Sequence, residues 1–348
     1  MRKLKVGIIG LGGIANFHRE GILASPDAEL WSISDCNPEL LERRRKEWDI
    51  PSSRAYLQYE AMLQDPELDA VTIGTPNFNH YEIAKLAIEY GKPFALEKPV
   101  ALNAEEAVRL KELLDRSPLS HMVCFSYRYK SAVRYAKQLI EEGRLGTIRH
   151  VYSQYLQGWA IDEEIPLAWR FRKSLSGSGA LGDLGSHILD LTRFLVGDTR
   201  RVLADADTIV SERKLPDGEG KGEVDVDDYC HVLSRIESGI SSVMTISRFA
   251  YGRGNDQRIE VYGSKGALVY SLEERDTLQV KFAEEKDTHF REVAIPDECR
   301  RGQMQAFFDL LNGRGDGKDA TMEDGYRNQL AVDAIIRSFT EQKWMDVE

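Results

Sequence analysis

A strand that runs straight into a glycine turn and then into a helix leaves a chain few folds to choose from. Leu4-Lys5-Val6-Gly7-Ile8-Ile9 has the apolar content of a buried strand. Gly10-Leu11-Gly12-Gly13-Ile14-Ala15 follows at once, and a helix continues through Phe17, Ile22 and Leu23. This is a G-x-G-x-x-G/A fingerprint in strand–turn–helix context. Gly10 permits the tight turn, Gly12 lets backbone approach a pyrophosphate, and Ala15 is small enough for the helix to pack on the strand. The turn from Gly10 through Gly13 and Ile14 would seat the pyrophosphate on exposed helix N–H groups. A second strand, Ala28–Ser34, stops at Asp35. A carboxylate there accepts bonds from the adenosine ribose and repels a 2′-phosphate. NAD is therefore expected over NADP, with Arg43, Arg44 and Arg45 just downstream as the one opposing feature.

Strand and helix signals keep alternating. Tyr59–Leu63 reads as a helix and Ala70–Ile73 as a strand ending in Gly74-Thr75-Pro76-Asn77; His80 opens the next helix and Gly91 closes it. Thr75, Pro76 and Asn77 fall at a strand's carboxyl end, where open α/β sheets bind ligands. They are expected to contact the cofactor, although a proline turn with an Asx cap would use the same residues. His80 suits a structural role at the helix start.

Pro93-Phe94-Ala95-Leu96 then leads into Glu97-Lys98-Pro99. The proline disfavours helical backbone at Lys98, so the amine is held at the strand's end and directed to the ligand crevice. A solvated loop lysine is the plainer alternative. Asn103 is the expected N-cap of the following helix, with Glu106 three residues on and apolar positions at Ala107, Leu110, Leu113 and Leu114. A strand over 121–125 closes the sheet. A first domain over 1–125 and a second over 126–348 are expected, since 348 residues exceed one ordinary core.

The second half changes character. A helix is expected over 132–142, then a period-2 strand from Ile148. The stretch 158–179 is irregular and holds Trp159, Trp169, Arg170, Phe171 and Arg172. It suits a ligand wall or a domain-packing surface equally. A helix over 183–195 carries a core stripe of Leu184, Ile188, Leu191 and Leu195. Asp183 and His187 are four apart and so share a face, with Asp190 close to the same side. A carboxylate beside an imidazole raises its basicity and fixes its tautomer; a surface ion pair would have the same spacing. Strands with hairpin spacing dominate from 202 to 293, implying antiparallel pairing. Residues 215–223 read as a mobile polar loop. Helices are expected at Gln303–Leu311 and over 322–339.

A net charge of −11 argues against a nucleic-acid surface, which would need a basic stripe. The four cysteines show no metal-ligand spacing, so neither zinc nor a disulfide framework is expected, and a cytoplasmic setting follows. No leader and no membrane span are expected.

Taken together, these motifs resemble the glucose–fructose oxidoreductase / inositol dehydrogenase / rhizopine-catabolism (Gfo/Idh/MocA) family. The carriers are Gly10 to Ala15, Asp35, Thr75-Pro76-Asn77 with His80, Glu97-Lys98-Pro99, Trp169-Arg170, and Gly179-Ala180-Leu181-Gly182-Asp183-Leu184-Gly185-Ser186-His187 with Asp190. Two departures are Gly177-Ser178-Gly179, where consecutive glycines are usual, and Ser131, where proline is usual. The resemblance implies an α/β protein: a Rossmann domain with a doubly wound parallel sheet, plus a C-terminal α/β domain with an open, largely antiparallel sheet used for homodimer or homotetramer contacts. It implies Lys98, Asp183 and His187 as catalytic residues. NAD would be held by the glycine turn, Asp35, Thr75-Pro76-Asn77, His80, Glu97 and Lys98, and no metal would be needed. A sugar or polyol would meet Lys98, Tyr127, Arg128, Trp169, Arg170, Asp183 and His187. Family relatives also include redox-neutral glycoside hydrolases and non-catalytic sensors, which remain as alternatives.

Overall fold

The computed structural model describes residues 2–273 and 275–348. The chain divides into two compact units, residues 1–125 with 302–326, and residues 126–301 with 327–348.

The first unit alternates strand and helix throughout: β1 (Leu4–Ile9), α1 (Gly13–Ala24), β2 (Ala28–Ser34), α2 (Pro38–Glu47), β3 (Ala55–Tyr56), α3 (Tyr59–Leu63), β4 (Ala70–Ile73), α4 (His80–Glu89), β5 (Phe94–Leu96), α5 (Ala104–Arg116) and β6 (His121–Val123). The strands form one parallel sheet in the order β3-β2-β1-β4-β5-β6. That is the dinucleotide-binding order, with its crevice where β1 meets β4. Register sets the rim. Ile9 pairs with Ser34 on one side and Ile73 on the other, and Ile73 pairs with Leu96. Gly10, Asp35, Gly74 and Glu97 therefore leave the sheet at one edge. The strands are buried on both faces and read as apolar runs for that reason. Helix α5 forms as its sequence requires: Asn103 Oδ1 accepts the Glu106 N–H at 3.0 Å, and Glu106 reaches back to the Leu102 N–H at 3.0 Å. Its Ala107, Leu110 and Leu114 are buried in the core. Each such leucine contributes roughly 1.5–3 kcal/mol of burial.

The second unit contains α6 (Ser131–Glu141), β7 (Ile148–Leu156), α7 (Lys173–Ser176), α8 (Ser186–Val196), β8 (Thr199–Asp207), β9 (Glu212–Lys214), β10 (Lys221–Glu223), β11 (Tyr229–Ile236), β12 (Ser241–Ser247), β13 (Asp256–Gly263), β14 (Gly266–Leu272), β15 (Asp276–Phe282) and β16 (Arg291–Glu292). After α9 (Gln303–Leu311) and α10 (Met322–Glu341), β17 (Met345–Asp346) completes a nine-stranded sheet in the order β16-β15-β14-β13-β7-β12-β11-β8-β17. Every pair is antiparallel except β12 with β7. Alternation along β11 is strict. Cys230, Val232, Ser234 and Ile236 turn inward beneath α6 and α8, and His231, Leu233 and Arg235 turn outward.

Three expectations need correction. The second domain is not continuous from 126 to 348, because 302–326 packs with the first unit. Gly21 on α1 lies against Met304, where a Cβ would come within 2.4 Å of the methionine side chain, and Ser25 donates to Gln305 at 2.8 Å. Residues 215–223 do not form a free loop. They turn back at Gly218 and Gly220, both at positive φ, to pair β10 with β9. Arg213 on β9 is buried and donates to the carbonyls of Ala160 and Asp162, with its guanidinium 4.3 Å from the Phe171 ring centroid. The hairpin is thereby fastened to the 158–172 stretch over a small satellite core. The helix expected over 183–195 starts instead as a π-turn over Leu181–Gly185, and α8 proper begins at Ser186.

Candidate active site

The first unit supplies a dinucleotide cradle. Gly10 has φ +87°, and a Cβ there would sit 2.8 Å from the Gly74 carbonyl carbon and the Thr75 nitrogen. Only glycine fits where the two loops touch. A Cβ on Gly12 or Gly13 would meet nothing within 4 Å, so that face of the turn is open. Helix α1 starts with no side-chain cap and no acidic residue in its first turn, leaving its N–H groups for an anion. Ala15 is wholly buried and serves packing. Asp35 is fixed beside the turn. Its Oδ2 accepts the Leu11 N–H at 2.8 Å, and its Oδ1 the Asn37 N–H at 2.9 Å. Each oxygen keeps a lone pair for a ribose hydroxyl. Of the three arginines that follow, Arg44 is paired with Glu47 and Arg45 with Glu42 on α2. These residues fit NAD. Asp35→Ala should weaken NAD and narrow its preference over NADP; steady-state kinetics with both cofactors check this, and an unchanged preference would remove Asp35 from that role.

On the same rim, His80 is fully buried between two backbone carbonyls, with Nδ1 2.7 Å from Pro99 O and Nε2 2.9 Å from Thr75 O. It joins the Thr75 loop to the Lys98-Pro99 loop, so its ring shapes the cradle. Burial pushes its pKa below the usual histidine range, while the two carbonyls oppose that shift. Glu97 is also turned inward. Its Oε1 lies 3.0 Å from His18 Nε2, its Oε2 accepts the Lys98 N–H at 3.3 Å, and Cys124 is a third neighbour. The ligand atoms of His18, Glu97 and Cys124 lie within 4.8 Å of one another, and two of them already share a hydrogen bond.

The second unit supplies a polar, aromatic cluster around the π-turn. Gly179 is forced: a Cβ there would lie 1.8 Å from the Asp227 carbonyl oxygen. Asp227 is buried and accepts the N–H groups of Gly179 and Leu181, both at 2.7 Å. Burial pushes its carboxyl up, and those two bonds pull it back. So held, the turn presents Asp183 and then His187 in the first turn of α8. His187 is 7% exposed, with the Tyr127 ring edge-on at 4.7 Å and Tyr155 at 6.2 Å. Tyr155 Oη meets Tyr127 Oη at 2.7 Å and donates to Asn255 at 2.6 Å, while Gln157 donates to both Tyr155 and Asn255. Burial, first, and then Tyr127 and Asp183 raise the Tyr155 phenol, which stays a proton donor.

Asp183 has Arg170 as ion partner at 3.8 Å; Arg170 is exposed and stacks over Trp169 at 4.5 Å. Two expectations change here. The Asp190 carboxylate, expected beside His187, gives both of its oxygens to the guanidinium of Arg128, at 2.8 and 2.5 Å. Arg128 is correspondingly not a wall residue. It is 3% exposed and fixed under Phe194, because a buried bidentate pair satisfies both charges. Gln157, Asn255, Asp227 and His18 were not singled out from the sequence. Only His18 left a trace there, as a polar residue in line with Ala15 and Ile22 on the buried stripe of α1.

Residues 4–125 match the oxidoreductase family with an NAD-binding Rossmann fold, and residues 133–269 match the GFO/IDH/MocA C-terminal domain. Levoglucosan dehydrogenase of Pseudarthrobacter phenanthrenivorans is 34% identical over 389 aligned residues, covering 100% of this chain and 99% of that protein. The chain belongs to the Gfo/Idh/MocA family. Myo-inositol 2-dehydrogenase of Thermotoga maritima is a further family relative, 30% identical over 350 residues with 99% of each chain covered. A solved structure of levoglucosan dehydrogenase in complex with NADH and levoglucosan superposes with a TM-score of 0.91 at 34% identity, over 99% of this chain and 100% of that one. Like its Gfo/Idh/MocA relatives the protein is an NAD-binding oxidoreductase, in agreement with the cradle described above. Among the described residues, no helix is long and apolar enough to cross a membrane.

Proposed function

We propose that this Gfo/Idh/MocA protein oxidises a ring hydroxyl of a sugar or polyol with NAD, and that Lys98 and His187 serve the same reacting oxygen. The observation that carries the reading is chemical completeness. An open glycine turn with Asp35 beside it comes with an amine on the same rim, and the second unit adds an imidazole among tyrosines, Asn255 and Gln157. When bound, NAD supplies a hydride acceptor at the nicotinamide C4. His187 takes the hydroxyl proton, Lys98 donates a hydrogen bond to the oxygen as negative charge develops, and Asp183 with Arg170 orients neighbouring hydroxyls. Trp169 offers an apolar face for a sugar ring. Substrates of the levoglucosan and inositol type, named in the relatives, are the first to try. The test is NADH formation by purified protein across anhydrosugars, hexoses, inositols and sugar acids. NADH with a matching keto product supports the reading. Glycoside cleavage without net NADH would establish the redox-neutral alternative, and binding with neither would leave a sensor.

We further propose a homo-oligomer built on the outer face of the nine-stranded sheet. Tyr152, Val243 and Leu233 are exposed there by 48%, 36% and 46%, and they pair in sequence across β7, β12 and β11, forming one apolar row. Light scattering should give a dimer or tetramer that Val243→Glu weakens; a monomer at all concentrations would refute it. None of the four cysteines is in a disulfide, which suits the reducing cytoplasm we assign to the protein; cell fractionation checks that placement.

A further inference from the structure

Lys98 can stabilise charge only if its backbone is held still, and one buried chain of contacts in the first unit does this. His18 on α1 is 0% exposed, so no substrate or solvent reaches it. Its Nε2 is 3.0 Å from Glu97 Oε1. Its Nδ1 is buried with no hydrogen-bond partner. A proton on Nδ1 would be a buried donor without an acceptor, so the ring carries its proton on Nε2 and donates it to the carboxylate. With Oε1 so fixed, Oε2 takes the backbone N–H of Lys98 at 3.3 Å. Cys124, at the end of β6, closes the other side of the carboxylate. Burial and the Glu97 charge both push its thiol up, so it too remains a donor to Glu97.

We propose that His18 is a positioning residue for Lys98, acting through Glu97, so that the rim amine is aligned from beneath by a side chain that never meets the substrate. This rests on Lys98 having the role assigned to it above. His18 also touches the cradle floor: a Cβ on Gly74 would lie 3.6 Å from His18 Cε1. One histidine therefore registers the glycine-turn helix, the β4 rim and the lysine loop together. His80 performs the matching task on the other side of Lys98, through the Pro99 carbonyl.

A kinetic cycle tests the inference. His18→Leu should lower kcat by about 10-fold or more through misplacement of the amine, with the NAD dissociation constant, read by fluorescence titration, changed by less than about 2-fold. In a Lys98→Ala background the same His18→Leu change should alter turnover by less than about 2-fold, because the group being aligned is gone. An equal loss in both backgrounds, or no loss in either, would overturn the proposal. Should His18→Leu fail to fold, or Lys98→Ala leave too little turnover to measure, a second pair decides. His18→Gln places an amide N–H near the Nε2 position and should keep most of the rate, whereas His18→Asn places it near Nδ1 and should not. Equal rates for these two variants would count against positioning. Failure of the underlying reading shows separately, as full activity in Lys98→Ala alone.

Discussion

His187→Ala should lower turnover by about 10²–10⁴-fold, and Lys98→Ala by a similar factor, while both proteins still bind NAD. The loss should appear in kcat and kcat/KM together, because both groups act on charge that develops in the transition state. The cradle itself should be intact in both variants, since Asp35 is held by the N–H groups of Leu11 and Asn37 and the glycine turn packs at Gly10 on Gly74. Binding measured by titration and turnover measured by NADH formation separate the two effects. Full activity in either variant would remove that residue from the chemistry.

Arg128→Ala should cost about 3–5 kcal/mol, because it leaves the buried Asp190 carboxylate without its counter-charge. The effect is on stability and not on recognition. A thermal melt should show a fall of about 6–20 °C, with the sugar KM of the folded fraction little changed. Replacing both partners by apolar residues of similar volume should recover part of the loss, since two desolvated charges go together. A raised KM with an unaltered melt would instead return Arg128 to the substrate wall.

The sequence made the first unit legible almost to the residue, and the reason is physical. Parallel strands buried on both faces must be apolar runs, and the glycine turn, Asn103 and Asp35 sit at chain positions where backbone geometry or an orphan N–H demands them. The rim could then be read from strand ends alone. The second unit was legible as strands but less so as a site. Asp190 reads as a neighbour of His187 from their spacing of three on α8, whereas both of its oxygens take the guanidinium of Arg128, 62 positions away in the chain. Asn255 and Gln157 join the His187 surroundings by strand pairing that brings 156 against 256, which no local pattern announces. Asp227 is hidden for the same reason: it holds Gly179 and Leu181 from 46 or more positions away. The return of 302–326 to the first unit likewise depends on long-range packing of Met304 against Gly21.

The claim on which the mechanism turns is that an amine from one unit and an imidazole from the other act on one oxygen. A crystal structure of the protein with NADH and a sugar found in the turnover screen measures this directly. Lys98 Nζ and a ring nitrogen of His187 should both lie within about 2.6–3.2 Å of the same substrate oxygen. A bound sugar whose reacting hydroxyl meets only one of them, or neither, would contradict it.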